Sequence, residues 1–221
     1  MAATSNRLGV DIGGTFTDVV LESNGQSFST KVLTTYAAPE DAIIDGMRQV
    51  CAKAGVEPSQ IDQIIHGTTL ATNALIERRG AKTALITTEG FRDVIEMRTE
   101  SRFEQYDLNL NLPEPLLPRQ MRFTVAGRVD ANGAVLVDID RAEVEAVVDR
   151  IAEAGFESVA VGLIHSYLNP AHEELVRDVL AEKLPHVALS ISSEVSPQMR
   201  EYERFNTVVA NAYIKPLMAS Y

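Results

Sequence analysis

The chain has 221 residues, 45% apolar and 23% charged, with 31 acidic against 20 basic side chains for a formal net charge of −11. That composition belongs to a folded globular protein with room for one large or two modest domains, and its sign argues against non-specific binding to nucleic acid or anionic membrane. A single cysteine, Cys51, excludes an internal disulfide framework and fits a reducing compartment; no apolar run approaches membrane-spanning length and residues 1–7 lack a signal-peptide core, so a cytoplasmic protein is expected.

Near the N-terminus, two short β-branched runs, residues 8–12 and 19–21, read as strands joined by a tight turn. Between them stands Asp11-Ile12-Gly13-Gly14-Thr15-Phe16-Thr17-Asp18. Adjacent glycines let a backbone turn sharply and bring its N–H groups close to a ligand, Thr15 and Thr17 add hydroxyls, and Asp11 and Asp18 place a carboxylate at each strand end. Successive N–H groups in such a turn form an anion-binding concavity, and a neighbouring carboxylate can hold Mg²⁺. The chemistry suggested is a phosphate cradle; an ordinary Gly-Gly hairpin with polar decoration accounts for the same eight residues. The loop runs from strand to strand, so it is neither a Walker A loop nor a dinucleotide fingerprint.

A third strand, residues 27–34, follows the Asn24-Gly25 turn. Pro39 opens a helix whose stripe of Ile43, Ile44, Met47, Val50, Cys51 and Ala54 ends at Gly55, which makes Cys51 a core residue and not a nucleophile. Residues 61–66 read as a strand, 68–79 as a helix closed by Gly80, and 82–87 as a strand. The order β-β-β-α-β-α-β is that of the ribonuclease-H-like core, in which the first hairpin turn holds nucleotide phosphates. Beyond it are expected a short helix over 89–97, an irregular stretch to about Arg122, and a hairpin over 123–137. Then come a helix from a capping box at Asp140 and Glu143, a continuous apolar strand over 158–164, a helix over 170–184 and a strand over 187–191. His165 and His172 have no cysteine or carboxylate completing a ligand set and are read as strand-end and helix-surface residues. From Pro197, Met199, Tyr202, Phe205, Val208, Val209 and Ala212 keep helical spacing, Glu201 and Arg204 form an i,i+3 pair, and Pro216 is expected to break or kink the helix. Its apolar face is expected to lack packing partners.

Three further segments carry a family resemblance: His66-Gly67-Thr68-Thr69-Leu70-Ala71-Thr72-Asn73-Ala74, Glu89-Gly90-Phe91-Arg92-Asp93-Val94, and Arg200-Glu201-Tyr202-Glu203-Arg204 with Asn211-Ala212-Tyr213. With the first motif they resemble the hydantoinase/oxoprolinase family in its ATP-binding A-type subunit, over nearly the whole chain. Residues 97–108 depart from it, lacking the Gly-Arg and Arg-Pro pairs of many members, which leaves the substrate class open.

The resemblance implies an α/β fold, a ribonuclease-H-like or actin-like ATPase lobe with a mixed sheet and helices on both faces. It places an N-terminal lobe at residues 1–192 and the truncated start of a following domain at 193–221. It implies the ATPase lobe of an ATP-dependent cyclic amide hydrolase that opens hydantoin, 5-oxoproline or lactam rings through a phosphorylated amide. An ATP-dependent ketone carboxylase subunit and a non-catalytic lobe that binds a B-type subunit are the alternatives. ATP and Mg²⁺ (or Mn²⁺) are the implied cofactors, and a B-type subunit and a cyclic amide or ketone the implied partners. Asp11 would hold the metal, and Gly13, Gly14, Thr15, Thr17 and Asp18 would bind phosphates. Thr68 and Thr69, at a helix N-terminus, would bind a phosphoryl oxygen, and His66 would polarise substrate or orient the turn. A ribonuclease-H-like nuclease shares the strand order but needs an acid near the end of the fourth strand, where His66 and Gly67 stand instead.

Overall fold

The computed structural model describes residues 5–35, 38–99, 104 and 106–220. The chain divides into two compact units, Met1–Arg79 with Met218–Tyr221, and Gly80–Leu217, whereas the sequence places its boundary at 192/193.

The first unit holds strands β1 (Arg7–Ile12), β2 (Phe16–Ser23) and β3 (Gln26–Leu33), helix α1 (Pro39–Ala54), strand β4 (Gln63–Thr68) and the short helix α2 (Leu70–Ile76). The sheet runs β3-β2-β1-β4, with β1 antiparallel to β2 and parallel to β4. Period-two alternation sorts its faces. Leu8, Val10 and Ile12 of β1 and Val19 and Leu21 of β2 are buried against Val50 and Cys51 of α1, while Arg7, Asp11, Val20 and Glu22 take the other face. Gly46 lets α1 approach this closely: a Cβ there would lie 2.5 Å from Val19 Cγ2. That contact justifies a residue that costs a helix interior about 1 kcal/mol relative to alanine. Asn24 and Gly25 both have positive φ, as a two-residue hairpin turn demands, and Cys51 lies in the core as expected.

The fifth strand, β5 (Thr83–Thr88), starts a second sheet in the second unit instead of extending the first. This sheet is parallel, in the order β10-β9-β5-β6, with β6 at Arg122–Val125, β9 at Ser158–Gly162 and β10 at Ala188–Ile191. Helices α4 (Arg141–Glu153) and α5 (Ala171–Lys183) cover one face, where Ala84, Ile86, Val159 and Val161 meet Val144, Val148, Val176 and Leu180. The long C-terminal helix Glu201–Ser220 covers the other, since a Cβ on Gly162 would sit 2.6 Å from the Phe205 ring and Ser158 Oγ donates to the Ala212 carbonyl at 2.7 Å. Covered on both faces, β5 and β9 are buried at every residue.

Several expectations change here. The hairpin read over 123–137 is split: Arg122–Val125 pairs with β5, and only β7 (Arg128–Val129) and β8 (Val135–Val137) form a hairpin, closed by Gly133 with φ 84°. The box at Asp140 is half made. Asp140 accepts from the Ala142 N–H, while Glu143 turns away to accept from the Ala126 N–H. His172 is buried in α5, not at a helix surface. The helix from Glu201 runs through Pro216, and its apolar face is covered, with Phe205, Val208 and Ala212 fully buried. The short helix expected over 89–97 is α3 (Val94–Met97), and α6 (Ser192–Val195) follows β10, so the C-terminal helix is α7. Part of the departing segment, residues 100–103 and 105, lies outside the described residues.

Candidate functional site

The turn between β1 and β2 is held so that the Gly13 and Thr15 carbonyls point to protein and the Gly14 and Thr15 amides do not. The Gly13 N–H donates to the Phe16 carbonyl at 2.9 Å, closing the hairpin around Gly14 and Thr15. A Cβ on Gly13 would lie 3.0 Å from that same carbonyl oxygen, so close approach, not a left-handed φ, calls for glycine. Thr34, just past β3, takes up two more of the turn's carbonyls: its N–H donates to the Thr15 carbonyl at 3.0 Å and its hydroxyl to the Gly13 carbonyl at 3.1 Å. The N–H groups of Gly14 and Thr15 donate to no acceptor among the described residues. Together with the exposed Thr15 side chain they form a row of donors at the sheet's end.

The carboxylates stand beside this row. Asp11 pairs with Asp18 across β1 and β2, Asp18 pairs with Lys31 across β2 and β3, and Gly67 of β4 is level with Asp11 on its other side. One line across four strands thus reads Gly67, Asp11, Asp18, Lys31. Lys31 Nζ lies 3.1 Å from Asp18 Oδ1, which offsets the like-charge apposition on one side only. A Cβ on Gly67 would be no nearer than 3.9 Å to Asp11 Oδ1, so nothing on β4 covers the exposed Asp11 carboxylate.

The second motif is stitched to the first at one atom. The Ile12 carbonyl accepts from the Thr69 N–H at 3.1 Å and the Thr69 hydroxyl at 3.3 Å, with the Thr68 hydroxyl at 3.5 Å. Thr68 Oγ1 in turn accepts from the Leu70 N–H. Asp11, Gly13, Gly14, Thr15, Asp18, Thr68 and Thr69 therefore share one end of one sheet. Two expected members stand differently. Thr17 is fully buried with its hydroxyl 2.9 Å from that of Thr34, beneath the turn and not on it. His66 is level with Val10, and so on the opposite face of the sheet from Asp11, because the strand continues two residues beyond it. Thr34, Lys31 and Gly67 carry no motif and emerge only from strand register.

The β3-β2-β1-β4 order, the α/β layering and the polar turn are those of a ribonuclease-H-like, actin-like lobe. The hydantoinase/oxoprolinase N-terminal region matches over residues 7–184, and the chain belongs to that family. It is 36% identical to the caprolactamase subunit alpha of Pseudomonas jessenii over 233 residues, covering all of this chain and 33% of that one. To the acetophenone carboxylase gamma subunit of Aromatoleum aromaticum it is 32% identical over 233 residues, covering 96% of this chain and 31% of the relative. The crystal structure of the ATP-dependent caprolactamase from Pseudomonas jessenii superposes with a TM-score of 0.86 at 36% identity, over 97% of this chain and 32% of that one. The chain spans about a third of the length of these relatives.

Proposed function

We propose that the chain is the N-terminal ATPase lobe of an ATP-dependent cyclic amide hydrolase acting on a hydantoin, 5-oxoproline or lactam ring through a phosphorylated amide. The observation that carries this reading is the latched turn, whose Gly14 and Thr15 N–H groups have no acceptor among the described residues and lie beside the exposed Asp11 carboxylate. Mg²⁺ is commonly held by one or two carboxylates plus phosphate oxygens, and this donor set fits it. Asp11 would hold Mg²⁺ (or Mn²⁺), while the Gly13-Gly14-Thr15 backbone and the Thr15 hydroxyl would hold phosphate oxygens. When bound, ATP supplies the phosphoryl group that makes an amide carbon electrophilic.

The protein's part in such chemistry is charge neutralisation and positioning. Thr17 and Thr34 keep the turn's carbonyls away from the phosphates, and Thr68 and Thr69 anchor the second motif at Ile12. Asp18, held by Lys31, sets the local charge. His66, on the other face, belongs to orientation of the β4 end. The similarity to caprolactamase favours C–N hydrolysis over ketone carboxylation, and a B-type subunit would be the partner in a cytoplasmic hetero-oligomer. The test is calorimetric titration of the chain with ATP. Binding is expected to require Mg²⁺, to be competed by pyrophosphate and not by adenosine, and to be lost in Asp11→Ala with an unchanged melting temperature. Metal-independent binding, or wild-type affinity in Asp11→Ala, would overturn the assignment.

A further inference from the structure

Residues 106–112 read Tyr-Asp-Leu-Asn-Leu-Asn-Leu, a strict alternation of apolar and polar side chains. Such a run at period two is the pattern of a strand with one face buried. In the structure it belongs to neither helix nor strand. Tyr106 and Leu108 are 94% and 98% exposed, Leu112 is exposed and Leu110 half-buried, and none of them belongs to the two cores described above. The segment is thus patterned for a strand to which this chain supplies neither a neighbouring strand nor an apolar cover.

Its surroundings hold it at the surface. The Arg98 guanidinium donates to the Pro113 carbonyl. A few residues further on, Leu117 is buried and its carbonyl accepts from Arg122 Nε at 3.1 Å and Nη2 at 2.7 Å. Pro113 and Pro115 have no N–H to give a ladder, so a strand ends at Leu112. Within the segment the Asn109 N–H donates to Asp107 Oδ1 at 2.8 Å, a local contact that competes with strand pairing. Leu108, Leu110 and Leu112 line a groove of about 380 Å³ with Met97 and Arg98.

We infer that residues 106–112 are a docking strand, which adds to the edge of a β-sheet in the partner subunit and lays Tyr106, Leu108, Leu110 and Leu112 on that protein's apolar surface. A sheet edge supplies both missing parts at once, the ladder and the cover. Pairing with the same segment of a second copy would supply the ladder alone, and a two-stranded ribbon with a bare apolar face is marginal in water. Charge separates the two in the same direction. The exposed Glu104, Asp107 and Glu114 flank the apolar row in a chain of net charge −11, so a second copy would bring like charges. A partner edge rimmed by lysine or arginine matches them. The existence of that subunit rests on the function proposed above; the strand does not depend on nucleotide.

The experiment mixes the purified full-length A-type subunit with its B-type subunit and follows calorimetry and amide-resolved hydrogen exchange. Every second amide within residues 106–112 is expected to gain protection, because a strand at a sheet edge turns alternate N–H groups to its neighbour. Leu108→Asp is expected to weaken binding about tenfold or more. Asn109→Val, on the solvent face and with higher strand propensity, is expected to leave affinity unchanged or raise it. Added salt is expected to weaken the complex. Both substitutions lie outside the cores, so the melting temperature of the chain alone is expected to stay unchanged. Absence of a complex, uniform or absent protection across 106–112, or wild-type affinity in Leu108→Asp would overturn the proposal. So would a dimer of this chain alone that Leu108→Asp dissolves. Titration of the isolated chain with Mg²⁺-ATP involves no partner, so a failure here is read separately from a failure at Asp11.

Discussion

The hydroxyls of Thr17 and Thr34 lie 2.9 Å apart beneath the turn, and Thr34 also donates to the Gly13 carbonyl, so Thr17 is the donor to Thr34. This relay fixes the turn's shape from inside the protein. It explains why a threonine of the first motif is buried while its neighbour Thr15 is exposed.

Thr34→Val would leave the buried Thr17 hydroxyl and the Gly13 carbonyl without their partner. The expected loss of stability is about 1–3 kcal/mol, the cost of stranded polar groups, with a larger loss of Mg²⁺-ATP binding than in Thr34→Ser. Urea denaturation and calorimetry of the two variants check this. Equal nucleotide affinity in both would remove the latch from the site.

Lys31 compensates Asp18 and, through it, the apposition with Asp11. Both partners are about half exposed, so Lys31→Met is expected to cost no more than about 1 kcal/mol. It leaves a net extra negative charge beside Asp11, so the midpoint for Mg²⁺ in nucleotide binding should move to lower concentration, and Asp18→Asn should move it the other way. Identical midpoints in the two variants would mean that Asp18 has no influence on the metal.

Glu173, fully buried in α5, accepts from the Leu163 N–H, the Ser193 N–H and the Ser192 hydroxyl, and Ser192 in turn accepts from Arg204 Nε. Arg204 reaches the Leu163 and Gln198 carbonyls as well. Glu173→Ala strands three donors and removes a fully buried negative charge that acts on Arg204. The expected loss is about 3–5 kcal/mol, measurable as a lower denaturation midpoint. A loss under about 1 kcal/mol would mean that water replaces the carboxylate.

Burial pushes the His172 imidazole below its ordinary value, and Asp138 opposes this only in part. A depressed value in the folded state means that between it and the unfolded value, about 6.5, the unfolded chain binds more protons. Stability from this residue is therefore present above about pH 6.5 and is lost as pH falls towards the folded-state value. The melting temperature should drop more between about pH 7.5 and 5.5 in the wild type than in His172→Leu. Parallel drops would place the titration elsewhere.

Local chemistry in the sequence determined much of this protein. Alternating apolar residues placed β1 and β2, Asn24-Gly25 placed a hairpin turn, and the Asp11-to-Asp18 motif located the donor row. Those features depend on contacts a few residues apart, so period and turn type suffice. The tertiary structure decided what depends on partners far along the chain. Residues 61–66 and 82–87 look like successive strands of one sheet, yet β5 joins β9 and β6, because a continuous apolar strand is satisfied by any sheet covered on both faces. His66 and Gly67 are adjacent in the motif, but a register shift of one residue exchanges the faces of a strand, and only pairing with β1 put Gly67 beside Asp11. Phe205 and its neighbours kept helical spacing without naming their partner; Gly162, by lacking a side chain, supplied the space. Thr34 and Glu173 carry no motif at all, and their roles arise because buried donors and acceptors must be matched wherever the fold brings them.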